Sequence, residues 1–377
     1  MHLFLYGTLQ SLALLQAVAG DGSDLGPKAE LRDHVVLKLD GNVVPCLIPR
    51  KDGAAPGRLM TSPSEAQLSR LDYFEGAFGY ERATAVARTA DGREETVWVY
   101  FPGEDAAVEE MPWSFDSWQS EHEVPGVYAA RELFRHDPLL PPEAVRQNWH
   151  MIEARASARH RAVSGPVAPA TVRYAPGPAD FEVQSLDAPL GRFVRLQAST
   201  VSHRSFDGGR QSDLVREVFV GIDAALLLPY DPKTDRVVLI EQARMGVALR
   251  GDPNPWTPET VAGIVDARED PERAAIREAR EEANVEITQT LKVAECYPSP
   301  GSDTSCFYCY IGLCDLPKTG HSLHGLDAEA EDLRAHVMSF DDAMALTRSG
   351  EINAAPLLMM LFWLQAERDG LRKAADG

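Results

Sequence analysis

The spacing of apolar and polar positions divides this sequence into a strand-rich start, a helical middle and a mixed second half. Leu3 and Leu5, followed by Tyr6-Gly7-Thr8-Leu9, predict a first strand ending in a tight glycine loop. Val35-Val36-Leu37, Val43-Val44 and Cys46-Leu47-Ile48 predict further strands. Leu68, Leu71 and Phe74 recur at helical spacing, so 64–74 is a short helix, capped by Ser62 or Ser64 and ended at Glu75-Gly76. Residues 83–88 and 95–101 read as a hairpin around Asp91-Gly92. From 102 to 160 the spacing is helical, over 113–118, 128–134 and 142–158, broken by the proline-rich DPLLPPEA. Trp113, Trp118 and Trp149 in this stretch suit packing between domains better than ligand stacking.

Four prolines and two glycines in SGPVAPATVRYAPGPADF mark a linker, with a boundary near Ser164. Beyond it, 193–199 and 217–222 read as strands around a Gly208-Gly209 turn, and 224–228 with 237–241 as a hairpin. Thr260-Val261 leads to one main helix, which Asp270 caps and Pro271 opens, running to Ala283. Strands at 291–296, 307–313 and 335–339 follow, with helices at 341–346 and 356–373. The expected organisation is a first domain over 1–110, a helical extension over 111–163, a linker over 164–179 and a second domain over 180–377.

Length and composition fit two domains with ample core: 377 residues, 44% apolar and 25% charged. No apolar run approaches the ~20 residues of a membrane span, and MHLFLYGTL lacks the basic region and cleavage site of a signal peptide. A net charge of −20 argues against general nucleic-acid or anionic-membrane binding, though not against a small anionic substrate. The five cysteines read as thiols of a reducing cytoplasm. Cys306 and Cys309 form a C-x-x-C, but on a strand they point to opposite faces, and no second pair completes a zinc site.

The densest chemistry lies in 263–285, GIVDAREDPERAAIREAREEANV. Glu278 and Glu282 stack on one helical face, with Glu281 three residues from Glu278 and four from Arg277. Ala275, Ala279 and Ala283 form a strip small enough to press the helix against a sheet. Carboxylates crowded this closely repel one another unless a hard cation sits among them. A solvated helix would also carry such a string, with Arg277 and Glu281 as a surface pair, but it would not need the glycine and glutamate fixed upstream. The run resembles the Nudix box, Gly-x5-Glu-x7-Arg-Glu-apolar-x-Glu-Glu-x-Gly-apolar, with Ala279 as a minimal apolar residue and Asn284 in place of the final glycine. Asn tolerates the left-handed conformation of a helix end. Sheet elements flanked by helices fit the α/β/α sandwich of that fold.

Flanking stretches narrow the resemblance. AALLLPYDPKTDRVVLIEQARMG, PWTPETVAGIVDA, Ser299-Pro300-Gly301 and HGLDAEAEDLRAHV are similar to the ADP-ribose pyrophosphatase branch, nearest to the group labelled tellurite-resistance-associated. The resemblance implies Mg2+, with Mn2+ as an alternative, held by the Ala262 carbonyl, Glu278, Glu282 and Glu331. It implies Glu329 as catalytic base or water-orienting group, Glu282 as part of the catalytic shell, and Arg216 and Arg244 as grips on substrate phosphate or ribose. It also implies a homodimer. Plainer alternatives are a surface arginine for Arg244 and a solvated acidic loop for Glu329 and Glu331, while His321, His324 and His336 read as structural. After Ser299-Pro300-Gly301 the branch commonly carries a glutamate where Ser305 stands. The expected products are AMP and ribose 5-phosphate.

In the first domain, Tyr6-Gly7-Thr8-Leu9, Leu71-Asp72-x-Phe74-Glu75-Gly76 and Tyr80-x-Arg82 together resemble the gamma-glutamylcyclotransferase-like family, a small mixed β-barrel. The resemblance implies that Tyr6, Gly7, Thr8 and Leu9 hold substrate with backbone groups and that Glu75 is the general base for closing 5-oxoproline. The plainer alternative makes Glu75 a helix-end partner of Arg82. Three hypotheses follow: a metal-dependent ADP-ribose diphosphatase, an active cyclotransferase in the first half, and a non-catalytic ADP-ribose binder.

Overall fold

A computed structural model describes residues 1–103, 106–166, 169–191, 194–318, 320–324 and 332–375. It forms two compact units, Met1–Glu217 and Val218–Gly377.

In the first unit, β1 (His2–Leu5) runs into a 3-10 turn at Thr8–Gln10 and α1 (Leu12–Ala19). Then come β2 (Lys28–Leu39), β3 (Pro45–Met60), α2 (Glu65–Ala77), β4 (Glu81–Thr89), β5 (Glu94–Phe101), β6 (Val108–Pro112), α3 (Phe115–Leu133) and α4 (Pro142–Ser164). The order β3-β1-β5-β4-β2, with β2 pairing back onto β3, closes a barrel, and β6 adds to β2. Only the β1–β5 pairing in it is parallel among the described pairs. Alternation along β1 sends Phe4 and Tyr6 to one core cluster with Leu31, Leu47, Val97 and Val99, and Leu3 and Leu5 to a second cluster shared with the helices. At Gly57 a side chain would collide with the Phe4 ring, which explains the glycine there.

Several expectations need adjusting here. Ser64, not Ser62, caps α2, through a reciprocal capping box with Gln67, and the helix continues past Glu75-Gly76 to Ala77. Val43-Val44 lie in the turn between β2 and β3, and β6 precedes the helices of the 102–160 stretch. Trp113, Trp118 and Trp149 pack in the first unit's own core rather than between domains. Trp149 meets Phe74 and Phe78 edge-on, at ring separations of 6.3 and 4.8 Å.

A three-stranded meander, β7 (Phe181–Leu186), β8 (Arg195–Arg204) and β9 (Arg210–Val220), turns at Gly208 with φ +91°. All but the last residues of β9 are grouped with the first unit, whereas the sequence places the start of the second domain at 180.

The second unit contains β10 (Ala224–Asp231), β11 (Arg236–Ala243), α5 (Met245–Arg250), β12 (Trp256–Glu259), β13 (Val261–Ile264), α6 (Pro271–Ala283), β14 (Gln289–Cys296), β15 (Phe307–Leu313), β16 (Gly320–His324), β17 (Leu333–Ser339), α7 (Phe340–Ser349) and α8 (Ala355–Ala375). Its sheet runs β14-β15-β10-β11-β17-β16. Ala225 and Leu227 face the alanine strip of α6, and Leu226 and Leu228 face α7 and α8. This makes the expected three-layer sandwich. All five cysteines are free thiols. Among the described residues, no helix is long and apolar enough to cross a membrane.

Candidate active site

The second unit's sheet is split where the box enters it. The described pairing of β10 with β11 is confined to Tyr230↔Val237 and Asp231↔Arg236. Beyond that, β13 pairs with β10 and β12 with β11, wedging residues 256–264 between the diverging strands. Thr260, between β12 and β13, donates its hydroxyl to the Leu227 carbonyl.

Helix α6 starts as its sequence requires: the Asp270 side chain accepts from the Glu272 N–H at 2.9 Å, with Pro271 in the first turn. It ends at Asn284 in the left-handed conformation, φ 51° and ψ 41°. Ala275 and Ala279 are fully buried, which brings the helix close to β13. Glu282, 2% exposed, accepts from the Ala262 N–H at 3.0 Å. Glu278 lies over Gly263, where any Cβ would overlap its carboxylate. Two carboxylates one helical turn apart thus converge on adjacent backbone positions.

Arg277 is the hub of the surrounding charges. It donates to both Glu269 oxygens at 3.0 and 2.9 Å, to Glu278 at 2.6 Å, to Glu281 at 3.0 Å and to the Ile264 carbonyl at 3.2 Å. The Glu269 bonds, more than any other contact, raise its pKa. The surface pair Arg277–Glu281 exists, then, as one spoke of a half-buried network that fixes the box loop to the helix.

The donor chemistry here suits a hard divalent cation: two carboxylates aimed at a backbone stretch that glycine keeps open. Among the described residues, no group of three His, Cys, Asp or Glu is arranged to hold a metal unaided. The further expected carboxylates, Glu329 and Glu331, lie outside the described residues.

Beside the box lies a cleft of about 420 Å³. Ala224, Leu226, Phe307 and Leu357 form its apolar wall, and Arg244, Glu259, Ala262 and Gly263 its polar side. Arg244 is not a free surface arginine. Its Nε lies 3.0 Å from each Glu259 oxygen, and its Nη2 also donates to Glu259. Glu259 had no role assigned from sequence; its neighbourhood to Arg244 depends on the β11–β12 pairing, which a separation of 15 positions conceals. Arg216 belongs to the first compact unit, where it is exposed and donates to the Val215 carbonyl at 2.8 Å. Ser305 is buried, donating to Asp303 from both its N–H and its hydroxyl at 2.8 Å, against Gly221, whose missing side chain makes room for it. His336 is bonded to Glu241 at 2.9 Å, the structural role expected of it.

The first unit carries a second constellation. The Tyr6 hydroxyl donates to the Tyr100 carbonyl at 3.0 Å, and the Gly7 carbonyl accepts from the Gln10 N–H at 3.0 Å, closing the turn over Thr8 and buried Leu9. A Cβ on Gly7 would meet Pro45 at 2.6 Å. Glu75, near the end of α2, has its carboxyl pushed up to about 8 by burial. The hydroxyls of Tyr6, Tyr80 and Tyr100 are all raised by burial first, and the Glu75 charge contributes to each. Arg82 does not pair with Glu75. It forms a two-pronged bridge to Asp72, at 2.8 and 3.0 Å, and stacks on Trp98. Tyr100, whose hydroxyl donates to Asp72 at 2.7 Å, is 28 residues beyond it in sequence and carried no signal linking the two.

Residues 222–359 match the NUDIX domain model, and residues 3–120 match the gamma-glutamyl cyclotransferase, AIG2-like model. The ADP-ribose pyrophosphatase of Escherichia coli K12 is 36% identical over 196 residues, 52% of this chain and 93% of its own length. That of Haemophilus influenzae is 31% identical over 49% of this chain and 86% of its own. A GDP-mannose pyrophosphatase of Escherichia coli O1:K1 is 31% identical over 40% of this chain and 77% of its own. A solved structure of an ADP compounds hydrolase aligns with 52% of this chain and 98% of its own, at 17% identity and a TM-score of 0.41. The second unit, Val218–Gly377, has 160 residues, so at least 36 of the 196 matched to the Escherichia coli K12 enzyme precede Val218.

Proposed function

The chain belongs to the Nudix family, and on that premise we propose that its second half cleaves the diphosphate of ADP-ribose to AMP and ribose 5-phosphate. The observation that carries this is the convergence of Glu278 and Glu282 on Gly263 and Ala262. Glu278 and Glu282 would hold Mg2+ or Mn2+, with the Ala262 carbonyl and Glu331 completing the shell. When bound, the metal neutralises diphosphate charge and acts as a Lewis acid. Glu329 takes the proton of the attacking water or orients it. Arg244, fixed in orientation by Glu259, binds phosphate or ribose at the cleft. The enzyme is a homodimer of the cytoplasm, the latter in keeping with five free thiols.

Turnover of ADP-ribose, GDP-mannose and other nucleotide sugars, with Mg2+ and with EDTA, tests this. AMP and ribose 5-phosphate should appear from ADP-ribose with Mg2+ and fall to background with EDTA. Cleavage of another nucleotide sugar alone would change the substrate and direct attention to Ser305. Tight ADP-ribose binding without turnover would favour a binder instead.

The steric role of Gly263 makes a separate prediction. Gly263→Ala should displace the Glu278 carboxylate and lower kcat/KM by about 10²-fold, since small misplacements of catalytic groups cost that much. Thermal unfolding should show the fold intact. Unchanged activity would mean that Glu278 has room to move without consequence.

A second activity is favoured by the environment of Glu75. A carboxyl with its pKa at about 8 is suited to taking a proton from a substrate α-amine. We propose that the first unit closes 5-oxoproline from a γ-glutamyl amine, the α-nitrogen attacking the γ-carbonyl and the amine leaving. Tyr6, Gly7, Thr8 and Leu9 would hold the substrate through backbone groups.

A further inference from the structure

The helical part of the first unit contains a buried ionic cluster that neither proposed reaction uses. Glu132 sits in the last turn of α3, His136 just after it, Arg155 in α4 and Arg195 at the start of β8. Arg155 donates through Nε to both Glu132 oxygens, at 3.0 and 3.3 Å, and through Nη2 at 2.8 Å. Arg195, with its side chain 1% exposed, places Nε 3.3 Å from the same Glu132 carboxylate without hydrogen-bond geometry. Its Nη1 donates to the Gly191 carbonyl at 3.1 Å. Its Nε and Nη2, and the Nε2 of buried His136, have no hydrogen-bond partner among the described residues.

Among the described ion pairs the charges do not balance either. Arginine keeps its proton in proteins, so Glu132 is shared by two buried cations. Half-buried Arg135 adds a third positive charge nearby. Burial, and then Arg195, Arg155 and Arg135, push the His136 imidazole down to about 4, so it is neutral at pH 7 and free to carry its one proton on Nε2. Buried charges are ordinarily paired, and buried donors ordinarily bonded. A water molecule would supply acceptors but no charge. An oxyanion supplies both.

We propose that this cluster binds a small tetrahedral oxyanion, such as phosphate or sulfate, through Arg195 Nε and Nη2 and His136 Nε2. Enclosure limits the ligand to a free ion, because Arg155, Arg195 and His136 are each less than a tenth exposed. The ion joins the end of α3 to β8, so its binding stabilises the first unit by linkage.

Thermal unfolding of the full chain in EDTA tests this, with phosphate, sulfate or ribose 5-phosphate added against chloride at matched ionic strength. Phosphate and sulfate should raise Tm saturably, and ribose 5-phosphate should not. Glu282→Gln should keep the shift, which separates this site from the box. Arg195→Met should abolish it. Should that variant fail to fold, His136→Phe decides, with an expected loss of about tenfold in apparent phosphate affinity. An equal shift with chloride, a shift with ribose 5-phosphate alone, or a full phosphate response in His136→Phe would overturn the proposal.

Discussion

Glu282→Gln should lower ADP-ribose hydrolysis by roughly 10³-fold or more, because metal-assisted charge stabilisation contributes several kcal/mol to such reactions. The substitution is chosen for what it keeps. Glu282 is buried and accepts from the Ala262 N–H, and a glutamine oxygen can accept the same bond. The box loop therefore stays attached to α6 while the negative charge is lost. Activity over an Mg2+ titration, read beside the melting curve, separates the two contributions. A variant that melts normally but needs far more Mg2+, or never recovers, places the carboxylate in the metal shell. Near-normal kcat/KM would reduce Glu282 to a cap on the Ala262 N–H and leave Glu278 to carry the metal alone.

The same pair of glutamates marks how far sequence reasoning reaches. Their shared helical face follows from a spacing of four, and the alanine strip from its neighbouring register; both are local properties of one helix, and both are present. Asn284 in the left-handed conformation is likewise a local consequence of helix termination. What local spacing cannot express is why residue 263 must be glycine. That depends on Glu278 lying across β13, a contact made by folding over 15 residues of chain. Arg277 makes the point differently. Its i,i+4 partner was legible, but its bonds to Glu269 and the Ile264 carbonyl arise only when the loop closes on the helix. The tryptophans of the middle stretch misled for a related reason. Large aromatics before a linker suggest an interface, yet α3 and α4 needed them to bury the barrel's outer face. The meander at 181–220 is intermediate: its turn was readable, whereas its grouping with the first unit rests on long-range burial such as that of Arg195 beside Glu132.

Glu75→Gln should reduce 5-oxoproline release by about 10²- to 10⁴-fold, the usual contribution of a general base. Wild-type turnover should rise with pH and level off above about 8, where the carboxyl is ionised. Stability should move the opposite way. The folded protein keeps this proton to about 8, whereas the unfolded chain releases it near the ordinary carboxyl value of 4.5. The resulting stability is complete below 4.5 and is lost as pH rises through about 8. Urea unfolding between pH 5 and 9 should therefore show a fall in wild type that Glu75→Gln lacks, because glutamine has no proton to release. The two measurements answer different questions. The unfolding slope depends only on burial, and catalysis depends on a substrate amine reaching the Glu75 carboxylate. If the slope is present and a broad panel of γ-glutamyl amines yields no 5-oxoproline, Glu75 is a half-buried acid in a domain that does not turn over. If both are present, one chain carries two unrelated hydrolytic and cyclising chemistries, and burial alone accounts for the poise of the second.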